Sequence, residues 1–277
     1  MCGKFDLWIP RSPLPQQLRL HRRRTGLKLT GIGLDSLGRQ DKMGISAVLC
    51  LCAASLAVAG KGIEGAGVVR SLVFSAESST DYVTVTPQKP LSLGAFTLCL
   101  RLATELRHTR REIILFAYRT QNFDELNLWR EYDGRIGLYM SSAGGVIFEM
   151  PTLGALQTHL CISWESSSGA TTVFFDGRRS LTKIYQKNHH VRSGGIVIIG
   201  QDPDDYLGSF DYDQSFVGEI SDINLWSKVL PDNVIREMAN TGKTSQNGDV
   251  IDWSEANLET TGRVDIVQRV LESSEKR

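Results

Sequence analysis

The stretch His159-Leu160-Cys161-Ile162-Ser163-Trp164-Glu165-Ser166-Ser167-Ser168-Gly169 decides how this chain is read. Trp164 is a side chain for a core between two layers, and the Ser-rich run Glu165–Gly169 makes a turn. His159 stands just before the strand. Cys161 needs a partner, and the five cysteines (Cys2, Cys50, Cys52, Cys99 and Cys161) narrow the choice. Met43–Ala59 reads MGISAVLCLCAASLAVA, an uncharged apolar run that ends in Ala57-Val58-Ala59. That is the shape of a secretory signal peptide, cut after Ala59 or shortly beyond. Its strongly apolar part is shorter than the ~20 residues of a membrane-spanning helix, so no membrane span is expected. Removal of that run leaves Cys99 and Cys161, an even pair suited to an oxidising compartment. Two unrelated buried cysteines are the other reading.

Charge divides the chain at the same place. Residues 1–42 carry nine Lys or Arg, including Arg22-Arg23-Arg24, against Asp6, Asp35 and Asp41. Lys+Arg and Asp+Glu balance at 31 each overall, so the part beyond the apolar run is net acidic. An acidic body argues against nucleic acid as the main partner. Residues 1–42 precede a second candidate start at Met43 and are read as a basic extension outside the mature protein; a targeting arm is the alternative. Residues 60–70 read as a short linker and 71–277 as the domain.

Outward from the opening stretch, the domain alternates in short runs bounded by turn residues. Ala95–Leu102 puts Phe96, Leu98, Leu100 and Leu102 on one face. Asp81–Thr86, Thr171–Phe175 and Ile196–Ile199 read as further strands, and Phe216–Trp226 as a strand pair. Strands at this spacing predict an all-β fold, a two-sheet antiparallel jelly-roll sandwich of lectin-like type. One short helix is predicted over 231–239, with Pro231 and Asp232 at its start and Asn240-Thr241-Gly242 at its end.

One hairpin carries chemistry. Asp124–Arg130 leads to Asp133-Gly134 and returns through Ile136–Met140. Leu126 and Leu128 belong to the core face, and Glu125, Asn127 and Trp129 to the other. A three-residue turn at 133–135 would set Trp129 opposite Tyr139, a pair of outward aromatics that suits a ligand platform. A second signal follows strand Ile196–Ile199. Gln201-Asp202-Pro203-Asp204-Asp205-Tyr206 sets three carboxylates close together, with Asp211, Asp213 and Gln214 after them. Such groups repel unless a cation sits between them, and oxygen-only donors select a hard cation, Ca²⁺ before Mg²⁺. The loop is not an EF-hand, because Leu207 stands where that loop needs Gly. A solvated turn is the alternative.

His159–Ser166 matches the pentraxin signature H-x-C-x-[ST]-W-x-[ST] at every fixed position. Ile199–Tyr206, Phe210-Asp211 and Gln214–Ile220 resemble the family's calcium loop, and the likeness runs from about Ser71 to Val267. The resemblance implies a jelly roll with one intra-domain disulfide, two adjacent Ca²⁺ ions per subunit on one face, and cyclic pentamers. By position it implies calcium ligands at Asp202, the Pro203 carbonyl, Asp204 and Gln214, with Asp211 where a further acidic ligand can sit. On the other strand the family has Asp-Asn-Glu. Here only Asp124-Glu125 is present, so Asp124 keeps the carboxylate role and Glu125 takes one of the other two places. Trp129 and Tyr139, with Asn127 beside them, fall at the ligand pocket. Gly145 falls where C-reactive protein has a glutamate that meets choline.

The resemblance thus implies a secreted, extracellular pattern-recognition protein of innate immunity, acute-phase-like. Its ligands would be phosphomonoester head groups, phosphoethanolamine or phosphocholine in type, or acidic sugars, with complement components downstream. An adhesive, calcium-stabilised matrix module that binds protein is the first rival reading. A jelly-roll glycosidase is the second, but no E-x-D-x-E run lies on a strand, and His189-His190 reads as a surface turn. No catalysis is expected.

Overall fold

The computed structural model describes residues 67–107, 111–241 and 247–271. All of them belong to the unit Gly60–Arg277. The readings of 1–42 and 43–59, and of 60–66 in the linker, lie outside the described residues.

Fifteen strands and one helix are described. They are β1 (Gly67–Phe74), β2 (Tyr82–Thr86), β3 (Ala95–Ala103), β4 (Ile113–Arg119), β5 (Asp124–Arg130), β6 (Ile136–Tyr139), β7 (Val146–Phe148), β8 (Thr158–Glu165), β9 (Ala170–Phe175), β10 (Arg178–Arg179), β11 (Lys183–Ile184), β12 (Ile196–Ile199), β13 (Gly218–Trp226), α1 (Asp232–Thr241), β14 (Asn257–Thr261) and β15 (Val264–Leu271). One sheet runs β10-β9-β8-β3-β13-β1-β15, with β11 also on β9; the other runs β14-β2-β12-β4-β5-β6-β7. Every described pairing is antiparallel. This is the expected sandwich with its single helix.

The alternation explains the layers. Leu160, Ile162 and Trp164 of β8 and Phe96, Leu98, Leu100 and Leu102 of β3 enter the core between the sheets, as do Val83, Val85, Val197 and Ile199 from the facing sheet. Trp164 is wholly buried, and its indole N–H donates to the Tyr185 carbonyl at 2.9 Å. The opposite faces are also covered. Cys99, Cys161, Phe174 and Trp226 lie outside the first sheet beneath Leu230, Ile235 and Met238 of α1 and its approach. Ile114, Ala117, Trp129 and Ile198 lie outside the second sheet, with Tyr82, Tyr139 and Phe210 against them. Ile196–Ile199 is therefore continuously apolar because both its faces are covered.

Three local expectations are corrected. β1 begins at Gly67 and pairs with β15 from Gly67↔Leu271 onward, so the linker ends before 70. His159 lies within β8 instead of ahead of it. Phe216–Trp226 is not a strand pair but the single strand β13 with a bulge, where Asp222 takes φ 52° in place of a chain reversal. The expected Cys99–Cys161 disulfide is present, between direct partners in the β3–β8 ladder, with an S–S length of 2.06 Å. It therefore staples neighbouring strands of one sheet under α1 and does not cross the core.

Candidate functional site

The second sheet's outer face carries a pocket of about 280 Å³ lined by Glu112, Asp124, Asn127, Trp129, Glu131, Tyr139, Ser142, Ala143 and Asp202. Three local devices build it. The first is the β5–β6 hairpin. Glu131 N–H donates to the Arg135 carbonyl at 2.8 Å, so the turn spans 131–135. Trp129 then pairs with Gly137, and Tyr139 with Asn127. The expected Trp129–Tyr139 pairing is corrected by two residues, a shift that leaves both side chains on one face because strand periodicity is two.

The second device is a bulge in β5. Arg119 pairs with Asp124 and Tyr118 with Leu126, so Glu125 is the extra residue. The bulge reverses the alternation at this point. Asp124 joins Asn127 on the pocket, while Glu125 is turned inward and fully buried. Its Oε1 accepts from His189 Nε2 and from Arg192 N–H, both at 2.9 Å, and its Oε2 accepts from Arg192 Nη1 at 2.6 Å. His189 does close the turn from Gln186, its N–H donating to the Gln186 carbonyl at 3.1 Å, but its side chain is bonded and mostly buried beside Trp164. Ser141 and Ser142 hold the bulge from the next loop. Both have left-handed backbones, at φ 59° and 53°, and Ser142 N–H donates to the Asp124 carbonyl at 2.9 Å.

The third device is the loop from Gln201 to Ser215. Its base closes where Phe216 N–H donates to the Gly200 carbonyl at 3.0 Å. Gly200 sits at φ 98°, and a Cβ there would meet the Phe74 ring at 2.3 Å, so glycine is required. Phe210 packs on Tyr82, with ring centroids 4.9 Å apart. Asp211 caps the 3-10 turn Tyr212–Gln214 by accepting from Asp213 N–H at 2.9 Å. Arg111 donates to the Tyr212 and Asp213 carbonyls of the same turn.

Two groups of charged side chains line the pocket, with the Glu112 charge acting on both. At one end Asp202 is buried and accepts from Asn127 Nδ2 at 2.8 Å. Burial first, then the Asp124 and Asp204 charges, push its carboxyl up to about 7. Asp124 is ion-paired with Arg119. At the other end Tyr139 OH donates to Glu131 Oε1 at 3.0 Å, and burial holds the Glu131 carboxyl above its usual range, with Glu112 adding to the effect. The wall near Tyr139 is tight: a Cβ on Gly145 would meet its ring at 2.6 Å.

These features have counterparts in known proteins. The model of the Pentaxin family matches residues 70–268. A C-reactive protein from Danio rerio is 48% identical over 219 residues, covering 78% of this chain and 95% of that protein. A C-reactive protein from Cavia porcellus is 37% identical over 199 residues, covering 70% and 85%.

The chain belongs to the pentraxin family.

A solved heptameric SAP-like pentraxin from Limulus polyphemus shares the fold, with a TM-score of 0.63, 22% identity, and coverage of 72% of this chain and 94% of that one. In this pentraxin the pocket brings together five of the residues singled out in the sequence: Asp124, Asn127, Trp129, Tyr139 and Asp202. Pro203, Asp204, Asp211 and Gln214 are on the adjoining loop, outside the lining, and Glu125 is turned away. The carboxylates whose charges act on Asp202 are those of Asp124, Asp204 and Glu112. Gln214 Oε1 is buried without a hydrogen-bond partner, as is Gln201 Oε1. The carboxylates are spread apart. Among the described residues, His, Cys, Asp and Glu ligand atoms come within 4.8 Å of one another as a trio only at Cys99, His159 and Cys161, where the disulfide takes both sulfurs.

The sequence reading missed Glu112, Glu131, Ser142 and Ala143 as lining residues. Glu131 had a signal, since it follows Trp129 by two. Glu112, Ser142 and Ala143 had none, because they arrive from the residue just before β4 and from the loop after β6.

Proposed function

We propose that this pentraxin is a secreted recognition protein of innate immunity that binds a phosphorylated, positively charged head group of the phosphoethanolamine type, with calcium. One observation carries the reading. A single small cavity joins the Asp124/Asp202 end to an end built from Trp129, Tyr139, Glu112 and Glu131. Asp202, the Pro203 carbonyl, Asp204 and Gln214 would hold calcium, with Asp124 and Asp211 beside them. The calcium would supply positive charge for the phosphate. The aromatic faces and the Glu131 carboxylate would receive the ammonium group. Glu131 thus answers for the glutamate missing at Gly145. An acidic sugar fits less well, because the far end of the cavity carries two carboxylates.

The disulfide accords with an extracellular location. A ring of identical subunits, with pentamers as the expectation, would present several weak sites together and gain avidity. Complement components remain the expected downstream partners. No role as an enzyme is proposed, and among the described residues no helix is long and apolar enough to cross a membrane.

The test is retention on immobilised phosphoethanolamine in calcium and release by EDTA. Asp204→Asn should abolish retention with the fold intact. Glu131→Gln should weaken phosphoethanolamine while sparing a phosphomonoester that lacks the amine. Retention that ignores EDTA would overturn the metal-dependent reading.

A further inference from the structure

The family resemblance implies two adjacent calcium ions, but the β5 side of this pocket already has a cation of its own. Arg119 and Asp124 are direct partners in the β4–β5 ladder, so strand register sets their ion pair. The Arg119 side chain is only 12% exposed, and its Nε is buried without a hydrogen-bond partner. It is thus a built-in charge and not a mobile surface side chain.

The other β5 donors are committed as well. Glu125 points to the opposite side and is taken by Arg192 and His189. Asn127 Oδ1 accepts from Tyr118 N–H at 3.3 Å, and its Nδ2 donates to Asp202. What β5 offers to an ion is therefore one carboxylate that is already neutralised. The loop differs. Asp202 has a single amide donor and no ion-pair partner among the described residues, and Gln214 Oε1 is unpartnered. A guanidinium cannot shed its charge, so a divalent ion on Asp124 would have to repel or displace Arg119.

We infer that each chain takes one calcium ion, on the loop side, and that the Arg119 guanidinium occupies the place of a second. The inference rests on the calcium reading proposed above and concerns how many ions that reading requires. In it Arg119 is a positioning residue: it orients Asp124 at the pocket without a metal.

Equilibrium dialysis of the full chain against calcium counts the ions directly. The wild-type chain should bind one per chain and Arg119→Gln two, with far-UV circular dichroism confirming that the variant is folded. Arg119→Lys, which keeps the charge, should stay at one. Two ions on the wild-type chain would overturn the inference and leave the calcium reading standing. No ion on the wild-type chain would overturn both. A folded Arg119→Gln that stays at one ion would remove Arg119 from the account. Should that variant not fold, the wild-type count still decides.

Discussion

Asp124 and Glu125 are adjacent in the chain, yet their carboxylates leave β5 on opposite faces. Asp124 borders the pocket, and Glu125 is buried against His189 and Arg192. The bulge that separates them is held from inside by the Glu125 contacts and from outside by the Ser142 amide. The Arg192 guanidinium also stacks over Phe123, 4.2 Å from the ring centroid. Arg192→Ala leaves a fully buried carboxylate short of its charged partner. Because the guanidinium itself is half exposed, a loss of about 2 kcal/mol is expected, near the middle of the range for a hydrogen bond to a charged group. Urea unfolding checks it. A loss of only a few tenths would show that the clamp contributes little.

His159 offers a pH test remote from the pocket. Burial, with a smaller push from Arg101, drives its imidazole down to about 3. An exposed histidine titrates near 6.5. Between these values the unfolded chain binds a proton that the native chain refuses, so stability rises with pH there. The stability tied to a neutral His159 is complete above about 6.5 and lost as pH falls towards about 3. At its steepest the loss approaches about 1.4 kcal/mol per pH unit. A His159→Gln variant should show a flatter acid limb than wild type in unfolding curves taken at several pH values. An unchanged limb would assign the acid sensitivity to other groups.

The Cys99–Cys161 bond closes a segment of 62 residues. The chain-entropy model gives a cost of about 4 kcal/mol for removing such a cross-link. Cys99→Ala/Cys161→Ala should lower the melting temperature and loosen α1, which packs on the bond. Differential scanning calorimetry checks the first effect, and amide exchange over Asp232–Thr241 the second. Exchange in α1 that stays as slow as in wild type would separate the helix from the disulfide.

Gly145 limits the pocket. A methyl group there would meet Cε1 and Cζ of Tyr139 at 2.6 Å. Gly145→Ala should therefore displace the Tyr139 ring and break its bond to Glu131. Phosphoethanolamine affinity should fall about tenfold, the equivalent of one good hydrogen bond to a charged group. Isothermal titration reads the affinity, and near-ultraviolet circular dichroism reads the ring. Full affinity with a changed tyrosine signal would exclude Tyr139 from the binding surface.

The sheets were legible in the sequence because strand alternation is local. Phe96, Leu98, Leu100 and Leu102 announce a buried face whatever lies opposite. Of the acidic loop, Asp202 reaches the pocket, while Asp204 and Asp211 lie outside its lining. Faces at the bulges were not legible. Alternation alone puts Glu125 beside Asn127, and only the register of β4 against β5 shows that one residue is extra. The Trp129–Tyr139 pairing failed for a similar reason. The turn is chosen by backbone bonds between Glu131 and Arg135, which the Asp133-Gly134 signal does not reveal.

The sequence by itself determined the family, through His159–Ser166, and with it a two-sheet sandwich, one helix and the Cys99–Cys161 pair. These follow from local periodicity and from motif residues that act on their own strands. Only the tertiary structure decided which carboxylates face the pocket, that Glu131 and Glu112 close its far end, and that Arg119 already neutralises Asp124. Each of those facts depends on register and on distant segments brought together, and a one-residue slip in either reverses the side to which a charge points.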